Sequence, residues 1–322
     1  MINQFLSRYP KLNMSVLPTP IHKLSRISEI CNTEIYCMRD DLTGFAFGGN
    51  KTRKLDFLVA DALKTGFDTL IGIGANQSNF CRMTAGAGKA NNLDVQLVLS
   101  GKKPEKLTGN LLVDKLFGAT IHHIDTEDDS LLLEEAANLE KKLTSEGKKV
   151  YNMPLGGSTN IGALGYINAF QEILDFSEKT KIIFNTIILA SGSGGTQAGL
   201  NAGKIISNSH HKIIGISVGR AKQELEDINF EIIRKTFHGT DFKAIKDVIN
   251  VDDSYIGEGY GKRTDGCIEA VSQFAKLEGI LLDYVYTGKA AAGLFDYAIK
   301  EKFNNNENVL FIHTGGNIEL FE

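Results

Sequence analysis

Residues Ile182–Leu200 read IIFNTIILASGSGGTQAGL. The run Ile182–Ala190 is apolar and β-branched, which predicts a strand buried on both faces. Ser191–Thr196 is built only of Ser, Gly and Thr, and helix-forming sequence follows it directly. Glycines let such a loop turn tightly while its backbone N–H groups converge, and the helix N-terminus adds positive potential. Strand, loop and helix together make a seat for an anion such as phosphate; a merely tight strand-to-helix turn is the other reading. Two nucleotide motifs fail letter by letter. From Gly192 the last glycine of G-x-G-x-x-G falls on Gln197, and Gly203-Lys204 is followed by Ile205 where a P-loop needs Ser or Thr.

Outward from this segment, short apolar runs alternate with longer stretches of helical period. Leu70–Gly74, Val95–Leu99, Thr120–Asp125 and Val150–Met153 read as strands. Between them Ser78–Asn91, Lys103–Phe117 and Leu131–Lys142 read as helices. Ile161–Phe176 reads as a helix leading into the quoted strand, and further strands are expected at Ile213–Val218, Val248–Val251, Ile280–Val285 and Val309–His313. Strands separated by helices predict parallel α/β sheets covered on both faces, and two such series predict two sheets with a cleft between them. No internal repeat is visible, and low complexity is confined to an Asn-rich loop at Asn304–Asn308.

Composition bounds the function. The chain has 322 residues with 35 Lys+Arg against 39 Asp+Glu, a net charge of −4. That balance argues against a broad nucleic-acid or anionic-membrane surface, which needs clustered positive charge. No apolar stretch is long enough to span a bilayer, and the N-terminus lacks a secretory pattern. The four cysteines show no C-x-x-C pair, so they are expected as reduced thiols of a cytoplasmic protein. His210 and His211 sit in a polar turn without further ligands at metal spacing, so an exposed loop and no metal are expected. The 33 glycines are an excess that asks for a local explanation.

Two more glycine-bearing segments stand out. In Phe47–Leu55, FGGNKTRKL, Lys51 and Lys54 lie three residues apart on one helix face. Their crowding favours a depressed pKa for one amine, as an imine-forming lysine needs; solvated lysines on a first helical turn are the alternative. In Gly72–Arg82, GIGANQSNFCR, a strand ends in a polar loop and a helix begins. Ser78 and Asn79 there suit either a carboxylate seat or ordinary N-capping.

Taken together these segments resemble the pyridoxal-phosphate enzymes of the tryptophan-synthase-β fold, and within them the D-cysteine desulfhydrase and 1-aminocyclopropane-1-carboxylate (ACC) deaminase family. The matching pieces are PTPIHKLSRIS, GGNKTRKL, QSN with its following arginine, LGGSTNIGALGY, SGSGGTQAGL, GEGYG, LDYVYTGKAAAGL and IHTGG. They occur in family order along nearly the whole chain.

The resemblance implies two open, twisted, mostly parallel sheets flanked by helices, with the cofactor cleft between them. Residues 1–48 and 162–322 would form the larger cofactor-binding domain with its phosphate loop 191–196. Residues 49–161 would form a smaller α/β domain carrying Lys51 and the Ser78 loop. Lys51 would join the cofactor aldehyde, Lys54 and the backbone of Ser193, Gly194, Gly195 and Thr196 would hold the phosphate, and Asn79 would bond the phenolic oxygen. Ser78, with Gln77, Asn79, Phe80 and Gly157, would line the substrate. Tyr260 and Tyr286 would stack on the substrate or donate protons to it. The partner implied is a small amino acid, and the assembly a homodimer.

Thr287 bears most on the chemistry. In VYTGK it stands where the deaminase branch typically has glutamate and the desulfhydrase branch threonine, facing the cofactor's ring nitrogen. A carboxylate there favours a protonated, deep electron sink, which opening a cyclopropane ring should need. β-Elimination of a thiol should not, so Thr287 implies elimination, with D-cysteine as substrate. Four departures from the family pattern stand out, of which Phe80 and Asn76 are expected to border the substrate pocket. Phe80 replaces histidine, Asn76 an apolar residue and Tyr284 a proline, and Asn317–Glu319 differ from the usual sequence after HTGG. ACC deamination, cysteate desulfonation and a non-catalytic ligand sensor are the other readings; no extra basic residue near the motifs favours a sulfonate.

Overall fold

The structure is a computed structural model that describes residues 1–237, 242–303 and 307–321; Asn304–Asn306 of the Asn-rich loop lie outside the described residues. Its strands are β1 (Ile21–Lys23), β2 (Glu34–Arg39), β3 (Thr69–Ala75), β4 (Asp94–Ser100) and β5 (Thr120–Ile124). They continue with β6 (Val150–Met153), β7 (Thr186–Ser191), β8 (Lys212–Ser217), β9 (Val251–Asp252) and β10 (Asn308–His313). One sheet has the order β1-β2-β10-β7-β8-β9 and the other β5-β4-β3-β6. Every pairing is parallel except β1 with β2. The expected α/β architecture of two mostly parallel sheets flanked by helices is what the chain adopts.

The alternation along β7 explains its apolar sequence. Ile188 and Ala190 pack into one hydrophobic cluster, Ile187 and Leu189 into another on the opposite face. β10 divides the same way, Val309 and Phe311 to one side and Leu310 and Ile312 to the other. A strand hydrogen-bonded on both edges and covered on both faces keeps its middle apolar and its polar side chains to the ends, as at Thr186, Ser191 and His313, and each buried Leu or Ile contributes roughly 1.5–3 kcal/mol.

Four expected elements differ. Ile280–Val285 is not a strand: the Asp283 carboxylate accepts the N–H groups of Val285, Tyr286 and Thr287, and His313 Nε2 bonds the Leu281 carbonyl. Side chains thus satisfy a backbone that apolar sequence alone would assign to a sheet. The quoted strand begins only at Thr186, because Asn185 and Asn308 clamp each other's backbone and Ile183 stays exposed. The helix read at Lys103–Phe117 shortens to Gly109–Leu116, since Pro104 disfavours helix before it and Gln77 caps the Asn110 N–H. The strand expected at Val248–Val251 is reduced to Val251–Asp252. β1 and β2 were not legible as strands at all.

All four cysteines are free and buried. His210 is exposed as expected, but His211 is buried edge-on against Phe170, and burial pushes its imidazole down to about 4. The polar sequence around it conceals a docked ring. Among the described residues no group of His, Cys, Asp and Glu is placed to hold a metal, and no helix is long and apolar enough to cross a membrane.

Candidate active site

The C-terminal ends of the parallel strands converge. β3 leads to the Ser78 loop, β7 to the glycine loop and β10 to Thr314–Gly316, and Asn50, bonded to both Thr314 and Thr196, with the Asn79–Glu319 bond, ties the three segments together.

The helix Asn50–Thr65 brings in the lysines. Gly49, with φ 127, lets Asn50 N–H bond the Thr314 carbonyl at 2.9 Å, fixing the helix start against the end of β10. Lys51 Nζ donates to Asn50 Oδ1 at 3.0 Å and stands 5.7 Å over the Tyr286 ring. Burial lowers its ammonium to about 8, Glu319 works against that shift, and Arg82 adds to it. Lys54 is fully buried, its Nζ donating to Gly156 O at 3.0 Å and Ser158 Oγ at 3.3 Å. Burial first, and then the charge of Lys51, hold Lys54 well below an ordinary lysine. The crowding read from sequence therefore acts on Lys54, whereas Lys51 is depressed by desolvation.

The helix Gly195–Ser207 opens the anion cradle. Gly194, with φ 79, turns the chain into the helix. Ser158 Oγ accepts the Gly195 N–H at 3.2 Å and donates to Ser193 Oγ at 2.8 Å, while Asn50 Nδ2 bonds Thr196 Oγ1 at 2.9 Å. A Cβ on Gly195 would lie 2.7 Å from Ser158 Oγ and 2.8 Å from Lys54 Nζ. Only glycine leaves that space open, with converging donors and a lysine around it. Asn50 and Ser158 were not among the site residues read from sequence, although both lie inside motifs that were noticed.

Ser78 caps the helix Asn79–Ala90, its Oγ accepting the Cys81 N–H at 3.2 Å. Asn79 Oδ1 accepts from Arg82 Nη1 at 2.9 Å, and its Nδ2 donates to Glu319 in a short hydrogen bond. Arg82 also reaches Asn110 Oδ1 and the Gly48 carbonyl. The tyrosine pair is close: Tyr260 and Tyr286 share a short hydroxyl hydrogen bond with their rings edge to face. Burial and the neighbouring Tyr260 raise the Tyr286 phenol well above its usual value, so it keeps its proton at neutral pH. Thr287 is fully buried, donating to Asp283 Oδ1 at 2.6 Å and accepting the Asp283 N–H at 2.9 Å.

Three sequence-selected positions turn away from the cleft. Gln77 spends its amide on Thr108 and Asn110. Phe80, 1 % exposed, is a core side chain against Leu58, touching the site only where it closes on Gly157. Asn76 bonds the Lys102 carbonyl and His123 at the edge of the smaller sheet, so it does not border the pocket. Glu319, Asp283 and Arg82 belong to the site instead; Asp283 and Arg82 lie inside quoted motifs and Glu319 in the divergent stretch after HTGG, though none was singled out.

Carbonyl capture by a lysine depressed to about 8 beside a phosphate seat is chemistry that pyridoxal phosphate unites in one molecule, and the two-sheet frame is that of the fold type II enzymes using it. The family model described as "Pyridoxal-phosphate dependent enzyme" matches residues 12–315. A putative 1-aminocyclopropane-1-carboxylate deaminase of Pyrococcus furiosus is 39% identical over 315 residues, covering 98% of this chain and 94% of that protein. A D-cysteine desulfhydrase of Salmonella schwarzengrund is 40% identical over 323 residues, covering 98% and 97%. The crystal structure of an ACC deaminase homologue superposes with a TM-score of 0.90 at 38% identity, covering 99% of this chain and 96% of that one. A threonine deaminase isoform from Solanum lycopersicum, at 17% identity and a TM-score of 0.69, shares the fold. The chain belongs to the pyridoxal-phosphate dependent enzymes and is a lyase of the ACC deaminase and D-cysteine desulfhydrase type, with pyridoxal phosphate as its cofactor. The open cradle at Gly195 and the desolvated Lys51 amine fit that cofactor.

Proposed function

We propose that the protein catalyses α,β-elimination on D-cysteine, which with one water gives pyruvate, sulfide and ammonia. The observation that carries this reading is Thr287: a neutral hydroxyl, fully buried and held by Asp283. A glutamate at that point would bring a second carboxylate against Asp283, and the neutral residue suits a substrate whose leaving group takes the electrons.

Lys51 would hold the cofactor covalently. Lys54, Ser158 and the N–H groups of Ser193–Thr196 would hold its phosphate, with Asn79 at the phenolic oxygen and Thr287 at the ring nitrogen. Bound pyridoxal phosphate supplies an electron sink for the substrate's α-carbon. Once the substrate's own amine has displaced it, the Lys51 amine, or else the Ser78 hydroxyl, would take the α-proton, and the start of the helix Asn79–Ala90 would receive the carboxylate. Tyr286, kept protonated and hydrogen-bonded to Tyr260, delivers a proton to the departing thiolate. The same reading includes a homodimer acting in the cytoplasm, and the division of the chain into 1–48 with 162–322 and 49–161.

The test is a panel of D-cysteine, L-cysteine, D-serine, cysteate and the cyclopropane amino acid, with α-keto acid and sulfide assayed. Pyruvate with equimolar sulfide from D-cysteine is expected. Turnover of the cyclopropane amino acid with none of D-cysteine would replace this reading with the deaminase.

A further inference from the structure

Glu319 stands apart from the rest of the site. It lies in the 3₁₀ helix Asn317–Phe321, in the stretch where the sequence departs from the family after HTGG. Left-handed glycines at 315 and 316 turn the chain back into the cleft after β10. The carboxylate is 7 % exposed and takes the amide N–H of Asn79, the first residue of the helix Asn79–Ala90. A helix start of this kind draws anions, and here the protein places its own anion beside it.

The surrounding charges make that anion count. Glu319 helps to hold protons on Lys51, Arg82 and Tyr286. Arg82 has a second acidic neighbour in Asp114, but burial pushes that carboxyl up to about 8, so it is mostly neutral at pH 7. Lys54, held well below its ordinary value by burial and by Lys51, points instead into the cradle, toward the Gly156 carbonyl and Ser158. Glu319 is therefore the acidic neighbour that does most to keep Arg82 charged at this end of the site, ahead of Asp114. Replacing it by a neutral side chain leaves a buried guanidinium with its charge uncompensated.

We propose that Glu319 is a specificity-determining residue, a buried carboxylate that excludes amino acids bearing a second anionic group and admits those whose β-substituent is neutral or cationic. The inference rests on the site being the amino-acid site proposed above, and it selects by charge whatever bond is then broken. A second anion brought beside a buried carboxylate meets a like-charge repulsion strong enough to change affinity by more than about tenfold. Cysteate falls on the excluded side, free cysteine and 2,3-diaminopropionate on the admitted side.

The experiment is equilibrium binding to protein loaded with pyridoxal phosphate, by dialysis with labelled amino acids, comparing D-aspartate with the near-isosteric D-asparagine and running the L-pair in parallel. The wild-type protein is expected to bind asparagine at least ~10-fold more tightly than aspartate, with 2,3-diaminopropionate no weaker than asparagine. In Glu319→Gln the gap is expected to close or invert, and in Glu319→Asp, which keeps the charge, to persist. Equal binding of aspartate and asparagine by the wild-type protein, including failure to bind either, overturns the proposal, and so does an unchanged ratio in Glu319→Gln. Sulfide release from D-cysteine is assayed separately: its absence alongside intact aspartate exclusion rejects the desulfhydrase reading and leaves the role of Glu319 standing.

Discussion

The hydroxyl of Thr287 is bonded to Asp283 twice, as donor to Oδ1 at 2.6 Å and as acceptor of the backbone N–H at 2.9 Å. Asp283 also accepts the backbone N–H groups of Val285, Tyr286 and Thr287. One carboxylate thus shapes the turn that presents both Tyr286 and Thr287. Thr287→Glu is expected to lower pyruvate formation from D-cysteine at least ~10-fold, through like-charge crowding against Asp283. Unchanged turnover would remove the argument from position 287. Thr287→Val keeps the shape but leaves Asp283 short of a donor, a cost of about 1–3 kcal/mol in urea unfolding.

Lys51 should be indispensable to the coloured enzyme. Lys51→Ala is expected to lose the visible absorption of lysine-linked cofactor and all sulfide release, while still unfolding cooperatively in urea. A variant that keeps the band would move the cofactor to another lysine.

The Lys51 amine is depressed from 10.5 to about 8, chiefly by burial. Only the neutral amine attacks a carbonyl, so capture of pyridoxal phosphate by the cofactor-free protein should speed up with pH, with a midpoint near 8. Glu319→Gln should move that midpoint down, because Glu319 favours the ammonium. For stability the sign is the following. Between about 8 and 10.5 the unfolded chain binds more proton at this lysine than the folded chain, so the Lys51 contribution becomes more favourable as pH rises through that window. Stopped-flow absorbance and urea titrations at several pH values measure the two effects.

Gly195→Ala places a methyl group 2.7 Å from Ser158 Oγ and 2.8 Å from Lys54 Nζ. Cofactor affinity is expected to fall by ~10-fold or more, from the loss of donor geometry worth roughly 1.5–3 kcal/mol per charged hydrogen bond. Dialysis against pyridoxal phosphate reads this directly.

Arg53, from the same helix as Lys51, is fully buried between Asp40 and Glu172, at 2.8 Å from each. Arg53→Ala leaves Asp40 buried without that cation and should cost about 3–5 kcal/mol in urea unfolding. A loss under 1 kcal/mol would mean that Tyr166 and Thr19 alone satisfy Asp40.

The sequence by itself determined the elements whose cause is local. A β-branched run followed by glycines and a helix can hardly be anything but a buried strand, a tight loop and an N-terminus, so the cradle at Ser193–Thr196, the lysine helix and the Ser78 cap were legible before any coordinates. Tertiary structure decided what depends on a partner distant along the chain. Ile280–Val285 has strand composition, yet its backbone finds Asp283 and His313 instead of a neighbouring strand. Phe80 and Asn76, adjacent to the site in sequence, turn into the core and to the sheet edge, while Glu319, some 240 positions from Asn79, arrives beside it. Backbone preference acts over a few residues and can be read from them. Desolvation, and the charge that must answer it, exist only once the chain has closed around Lys51.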